Sequence, residues 1–285
     1  MMHAMDCNEH RADLLCRKID ALGSPLCVGI DPVASKVPSQ LRHLHELDAI
    51  QAFSSGVIDA VAGTAVAVKF QSACFERYGA KGVALLGKLR EHAAQVGLVI
   101  ILDAKRGDIG ITAQHYAASA TIDGPCDWIT VNPYLGMDSI APFLETGLGV
   151  FCLVRTSNPS GDAVQKQHVQ DGRTVAESIA DLLKEEGEAY IGDSGWSSLG
   201  VVVGATKPDE AIALRKRMPH QIFLMPGIGA QGATPQDVIP CFADGHGAIV
   251  PASRSVLYPK ETTDWQTDIA NAAKQLAADL QVGVS

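Results

Sequence analysis

No two cysteines of this chain stand in a C-x-x-C spacing. The seven, at positions 7, 16, 27, 74, 126, 152 and 241, are scattered and odd in number, so neither a disulfide framework nor a zinc knuckle is expected and a reducing cytoplasmic setting is the natural one. Basic residues are in the minority, 23 Lys and Arg against 32 Asp and Glu for a net charge of -9, and they form no cluster. That argues against a nucleic-acid-binding surface. Long apolar runs are missing too: the longest, such as Val99–Leu102 and Val150–Val154, are strand-sized, far below the ~20 residues a membrane helix needs. The opening MMHAMDCNEHRADLLCRKID carries acids early and has neither an apolar core nor a small-residue cleavage site. It therefore reads as an amphipathic leading helix and not as a secretory signal. With no copied motif and no Pro/Ser/Gly-rich linker, residues 1–285 are taken as one domain.

What is present is a rhythm of short β-branched or apolar runs, polar or glycine-bearing loops and longer helical stretches. Strands are predicted at Leu26–Ile30, Ala65–Lys69, Leu98–Leu102, Trp128–Val131, Gly149–Val154, Gly200–Val203, Ile222–Met225 and Ala248–Val250. Helices are predicted at Asp48–Ala62, Lys81–Gln95, Ile109–Thr121, Val175–Glu186, Pro208–Arg217 and Thr263–Ala278. Eight strands alternating with helices over about 250 residues suit a (β/α)8 TIM barrel with an N-terminal leading helix, the rival being a doubly wound open sheet. The longest irregular stretch, Ser157–Asp171, follows the fifth strand and could act as a lid.

Strand side chains alternate between faces. On that rule Cys27, Gly29 and Asp31 share one face, opposite Leu26, Val28 and Ile30. Ala65, Ala67 and Lys69 share a face opposite Val66 and Val68, and Val99, Ile101, Asp103 and Lys105 share another. Each of these strands ends on a charge, at the C-terminal edge where barrels of this kind carry their active sites. In Leu102-Asp103-Ala104-Lys105-Arg106-Gly107-Asp108-Ile109 an acid and a lysine end the strand and a second acid follows the turn. With Lys69 arriving from the neighbouring strand, an alternating Lys, Asp, Lys, Asp array results. Opposite charges favour the ionised forms, which makes Lys105 a proton donor and not a nucleophile. Unit charges about 4 Å apart interact by on the order of 4 kcal/mol at an effective dielectric near 20, enough to strain an anionic ligand pressed against Asp103. A surface salt-bridge cluster, the plainer alternative, would be worth under about 1 kcal/mol per pair.

Asp103-x-Lys105-x-x-Asp108-Ile109 with the upstream Lys69, preceded by Val28-Gly29-Ile30-Asp31-Pro32, resembles the signature of the orotidine 5'-phosphate decarboxylase family. The likeness runs from about residue 26 to 258, and DAKRGDIG resembles its longer bacterial branch. The resemblance implies a homodimeric barrel that converts orotidine 5'-monophosphate to UMP, the last step of de novo pyrimidine nucleotide synthesis, with no metal or organic cofactor. It also implies that Lys105 protonates C6 of the pyrimidine and that Asp103 presses on the departing carboxylate. Lys69 would orient Asp103 and bond the ribose, Asp31 would hold a ribose hydroxyl, and Asp108, with Ile109 and Thr112, would reach into the partner subunit's site.

Met225-Pro226-Gly227-Ile228-Gly229-Ala230-Gln231-Gly232 contains a formal G-x-G-x-x-G. It lies near the end of the chain with no acidic ribose ligand to follow, which suits the phosphate site after the seventh and eighth strands of a barrel better than a dinucleotide fold. Val250-Pro251-Ala252-Ser253-Arg254-Ser255 brings a guanidinium to the next loop, the preferred fork for a phosphate dianion. Gln231 and Arg254 are the expected phosphate ligands, with Pro226 and Ser253 beside them in the substrate site. Arg155-Thr156-Ser157-Asn158-Pro159-Ser160-Gly161 resembles the family's base-recognition turn, Ser157 being the first choice of reader and Asn158 or Ser160 the alternatives. Asn132-Pro133-Tyr134 should line the barrel mouth. His43 and His45 lack a third ligand, so no metal site is expected there. Two other functions compete: a magnesium-dependent sugar-phosphate lyase, whose neighbouring strand should end in an acid where this one ends in Lys69, and a non-catalytic barrel that binds phosphorylated ligands.

Overall fold

Eight parallel strands close into a barrel in strict sequence order: β1 (Leu26–Ile30), β2 (Ala67–Gln71), β3 (Val99–Arg106), β4 (Trp128–Val131), β5 (Gly149–Arg155), β6 (Ser197–Val203), β7 (Gln221–Leu224) and β8 (Ala248–Ala252). The computed structural model describes residues 9–229, 231–260 and 264–281. β8 returns to pair with β1, Leu26 opposite Val250 and Val28 opposite Ala252, and this closure excludes the doubly wound open sheet. All eight predicted strands are present. β1 and β4 match residue for residue, whereas β3 and β5 run on to Arg106 and Arg155 and carry those arginines inside the sheet. Helix Pro208–Arg217 is found at its predicted bounds, with Pro at its first position where the missing N–H costs nothing. The predicted start of the last helix, Thr263, lies outside the described residues, and that helix spans Trp265–Asp279.

Alternation separates two apolar layers. Outward-facing Leu26, Val28, Ile30, Val68, Phe70, Ile100 and Leu102 pack under the surrounding helices. Inward-facing Cys27, Ala67, Val99, Ile101, Trp128, Phe151, Val202, Leu224 and Ile249 fill the barrel, where Trp128 and Phe151 stack with centroids 4.4 Å apart. The alternation fails at one predicted place. Ala65 joins the outer layer and Val66 the inner one, beside Ala67, because both precede the strand: Ala65 N–H still bonds the carbonyl of Val61 at the end of helix Glu46–Val61.

The leading helix spans Arg11–Leu22; the first eight residues of its predicted stretch lie outside the described residues. Its Ala12, Leu15, Cys16 and Ile19 join the inner layer, so it stoppers the N-terminal mouth of the barrel, each large buried side chain adding roughly 1.5–3 kcal/mol. Polar ties fix it there. Arg11 bonds the Gly147 carbonyl and Asp127, Lys18 bonds the Gly97 carbonyl, and Asp13 accepts from the N–H groups of Asp193 and Ser194. With that end closed, chemistry is left to the C-terminal edge.

Candidate active site

β1, β2 and β3 deliver Asp31, Lys69 and Asp103 to one point because their registers place Gly29 beside Lys69 and Gln71 beside Asp103. Lys69 Nζ lies 2.8 Å from Asp103 Oδ2 and 3.7 Å from Asp31 Oδ1, and Lys105 Nζ lies 2.5 Å from Asp103 Oδ1. Lys69 and Asp103 are buried while the Lys105 side chain keeps 45 % exposure and lines the cavity. At 2.8 Å the Lys69–Asp103 attraction is about 6 kcal/mol at an effective dielectric near 20, before desolvation is set against it. Burial alone would raise the Asp103 carboxyl, but the Lys69 and Lys105 ammoniums and their hydrogen bonds outweigh it and hold it down at about 2. Burial likewise works against charge on Lys69, and Asp31 and Asp103 overcome it, raising its pKa.

Lys105 does not reach the site by plain alternation. Its φ is +47° and the β3–β4 register shifts between Leu102 and Arg106, a left-handed residue that a side chain other than glycine adopts only under constraint. The constraint is Thr130 on β4. The Lys105 N–H donates to Thr130 Oγ1 at 2.9 Å, and the same hydroxyl donates to Asp103 Oδ1 at 2.9 Å. Gln71, its amide nitrogen turned to Asp103, adds donors to Oδ2 and to the Asp103 carbonyl. The carboxylate is thus held on both oxygens. Neither Thr130 nor Gln71 was singled out from the sequence. Parity carried the signal, since Thr130 shares the inward face of β4 with Trp128 and Gln71 follows Lys69 on its own face.

Around this point opens a cavity of about 790 Å³ lined by Asp31, Lys69, Asp103, Lys105, Ser157, Pro226, Gln231, Ser253 and Arg254, so nine of the expected site residues meet in one place. Asn132, Pro133 and Tyr134 line it as well. Asp108, Ile109 and Thr112 do not. Asp108 accepts from the Ile109 N–H, and Ile109 is 55 % exposed. Within one chain the alternating array is therefore Asp31, Lys69, Asp103, Lys105, extended by Asp31 at its Lys69 end and lacking Asp108 at its Lys105 end. Ser253 Oγ donates to Asp31 Oδ2 at 2.6 Å. Gly29 makes room for that contact, because a Cβ there would overlap Ser253 Oγ.

Of the three candidate base readers, Ser157 and Asn158 line the cavity, while Ser160 is engaged by Asn158 Nδ2. The segment Ser157–Asp171 is less irregular than expected. It forms a turn at Pro159–Gly161 and a short helix at Asp162–Gln165, because side chains tie it down. After β7, Gly227 and Gly229 take φ of +127° and +73°, and Gly229 N–H closes the loop on the Ala233 carbonyl; Ala230 lies outside the described residues. His43 and His45 are exposed, and among the described residues no three His, Cys, Asp or Glu side chains stand together as a metal-ligand group.

An array of this kind, an immobilised carboxylate between two ammoniums at the mouth of a barrel, can repel an anionic group and donate a proton where it leaves. Residues 24–260 match the family described as orotidine 5'-phosphate decarboxylase / HUMPS. The orotidine 5'-phosphate decarboxylase of Rhodopirellula baltica is 40% identical over 287 residues, covering 91% of this chain and 95% of that one. That of Clostridium perfringens is 36% identical, covering 95% and 96%. A Streptomyces avermitilis crystal structure assigned to the same enzyme superposes with a TM-score of 0.84 at 36% identity, covering 99% of both chains. The OMP decarboxylase of Leishmania donovani superposes at 0.77 with 32% identity, covering 95% and 98%. On likeness of that extent, the chain belongs to the orotidine 5'-phosphate decarboxylase / HUMPS family.

Proposed function

We propose that this chain decarboxylates orotidine 5'-monophosphate to UMP with its own side chains, without metal or organic cofactor. The observation that carries the reading is the Lys69–Asp103–Lys105 array, with its locked carboxylate and half-exposed Lys105 side chain. The substrate carboxylate at C6 of the pyrimidine is pressed toward Asp103, whose charge the two lysines keep in place. As the C6–CO2 bond breaks, its electron pair stays at C6. The Lys105 ammonium stabilises that charge at no reorganisation cost and transfers its proton there. Carbon dioxide leaves, and solvent returns the proton to Lys105. Asp31, steadied by Ser253 and Lys69, holds a ribose hydroxyl. Gln231, Arg254 and the loop at Pro226 hold the phosphate, and Ser157 or Asn158 reads the base. Binding energy from those distant groups is what drives the carboxylate into an anionic pocket.

The active unit in this reading is a homodimer, each subunit a single barrel domain of residues 1–285, that works in the cytoplasm. Asp108, Ile109 and Thr112 leave their own cavity and complete the partner's. Support comes from the exposed apolar side chains on adjoining elements, Ile109, Ile111, Tyr134 and Leu135. No helix among the described residues is long and apolar enough to cross a membrane. A magnesium-dependent sugar-phosphate lyase is disfavoured by Lys69, whose ammonium stands 2.8 Å from Asp103 where a cation would need that carboxylate. The test is to add the purified chain to orotidine 5'-monophosphate with EDTA present and to identify UMP by chromatography. Conversion that survives EDTA is expected. Activity abolished by EDTA would restore the metal-dependent lyase, and UMP binding without conversion would indicate a silent binding barrel.

A further inference from the structure

A second charged cluster stands beside the site, and neither the proton transfer nor the phosphate contacts use it. Arg155, the last residue of β5, is 1 % exposed. Its guanidinium bonds Glu210 Oε2 at 2.5 Å, Asp162 Oδ1 at 2.6 Å and Gln165 Oε1 at 3.0 Å. Lys166 reaches Glu210 and Asp162, and Lys207 reaches Asp162. Burying an arginine between carboxylates gains little net stability over an apolar filling. What it gains here is geometry, since the guanidinium joins the short helix Asp162–Gln165 to helix Pro208–Arg217.

The geometry continues into the cavity wall. Gln165 Oε1, held by Arg155, accepts the Thr156 N–H at 3.0 Å, and Gln165 Nε2 donates to Thr156 Oγ1 at 2.8 Å. Thr156 Oγ1 in turn donates to Asn158 Oδ1 at 2.6 Å. From the other side the Gly204 N–H bonds the Arg155 carbonyl, and a Cβ at Gly204 would stand 2.8 Å from Ser157 Cα. The turn 156–158 is fixed from both sides, and each of its residues lines the cavity.

We infer that Arg155, acting through Gln165, is the positioning residue for the base-recognition turn and so sets affinity for the pyrimidine moiety separately from the phosphate. The inference rests on the decarboxylase reading above. The Gln231 and Arg254 loops lie after β7 and β8, outside this relay, so the two affinities can be separated. The experiment titrates the full chain and its Arg155→Met and Gln165→Ala variants with UMP and with ribose 5-phosphate, alongside KM and kcat for orotidine 5'-monophosphate. In both variants UMP affinity should fall and KM should rise about tenfold, the order expected when hydrogen bonds that shape a binding surface are lost. Ribose 5-phosphate should bind within about twofold of wild type, and kcat should change less than KM. If Arg155→Met does not fold, Gln165→Ala carries the test, since it leaves the guanidinium paired with Asp162 and Glu210. Unchanged UMP affinity, or equal weakening of both ligands, would overturn the positioning role. A wild-type chain that binds ribose 5-phosphate but not UMP would overturn the decarboxylase reading, and the inference with it.

Discussion

Thr130→Val replaces a hydroxyl by a methyl group of nearly the same volume in a buried position of β4, so its effect isolates two hydrogen bonds. The hydroxyl donates to a charged acceptor, Asp103 Oδ1, and accepts the N–H of Lys105, a residue at φ +47°. A hydrogen bond to a charged group contributes about 1.5–3 kcal/mol, and leaving the Lys105 N–H unpaired costs a further 1–3 kcal/mol or so of stability. If the first quantity is fully expressed in the transition state, at about 1.36 kcal/mol per decade, kcat falls roughly 10- to 150-fold. UMP should still bind within about twofold, because the phosphate and base contacts are untouched, and Thr130→Ser should restore most of the rate. The assay is steady-state decarboxylation by absorbance, with calorimetric titration of UMP and thermal unfolding for each variant. A folded Thr130→Val enzyme within about threefold of wild-type kcat would refute the argument, as would a Thr130→Ser enzyme no better than Thr130→Val.

Lys105→Ala should abolish turnover while UMP binding persists; measurable turnover would remove Lys105 as the proton donor. Mixing Lys105→Ala with Asp108→Ala chains should regain activity in the heterodimer, since one of its two sites then holds Lys105 from one subunit and Asp108 from the other. A proven heterodimer with no activity would place Asp108 in its own chain's site. Arg254→Ala should weaken UMP far more than uridine, and equal affinities for UMP in variant and wild type would dismiss the phosphate assignment. Asp103 is held at about 2 against an ordinary 3.8. Its ionised form therefore stabilises the fold by about 2 kcal/mol above pH 4, a contribution lost as pH falls through 2. Denaturant melts of wild type and Asp103→Asn should show a stability difference that shifts by that amount across this window, and a constant difference would contradict the assignment.

Much of this was legible in the sequence because it is local. Period-two alternation put Lys69 and Asp103 on inward faces, strand-sized runs gave the eight strands, and the D-x-K-x-x-D spacing singled out the charged turn. The reading weakened where backbone left the regular pattern. Ala65 and Val66 precede their strand and do not alternate with it, and although a count by twos does put Lys105 in the cavity beside Asp103, it does not foresee the left-handed backbone that delivers it there. Thr130 escaped notice because its partner is 27 residues away in sequence, and a lone threonine in an apolar strand carries no mark of that partner. Arg155 escaped for a similar reason, since its partner Glu210 lies 55 residues further along the chain.

By itself the sequence determined the βα rhythm, the identity of the charges at the strand ends and the loops that bear Gln231 and Arg254, because all of these follow from short-range spacing and residue chemistry. Only the tertiary structure decided that β8 pairs with β1, that Asp31 extends the array at its Lys69 end, and that a threonine and a buried arginine hold the site in shape. Those outcomes depend on which distant segments become neighbours when the barrel closes. Closure is governed by register, twist and packing summed over all eight strands, and no single stretch of the chain contains that information.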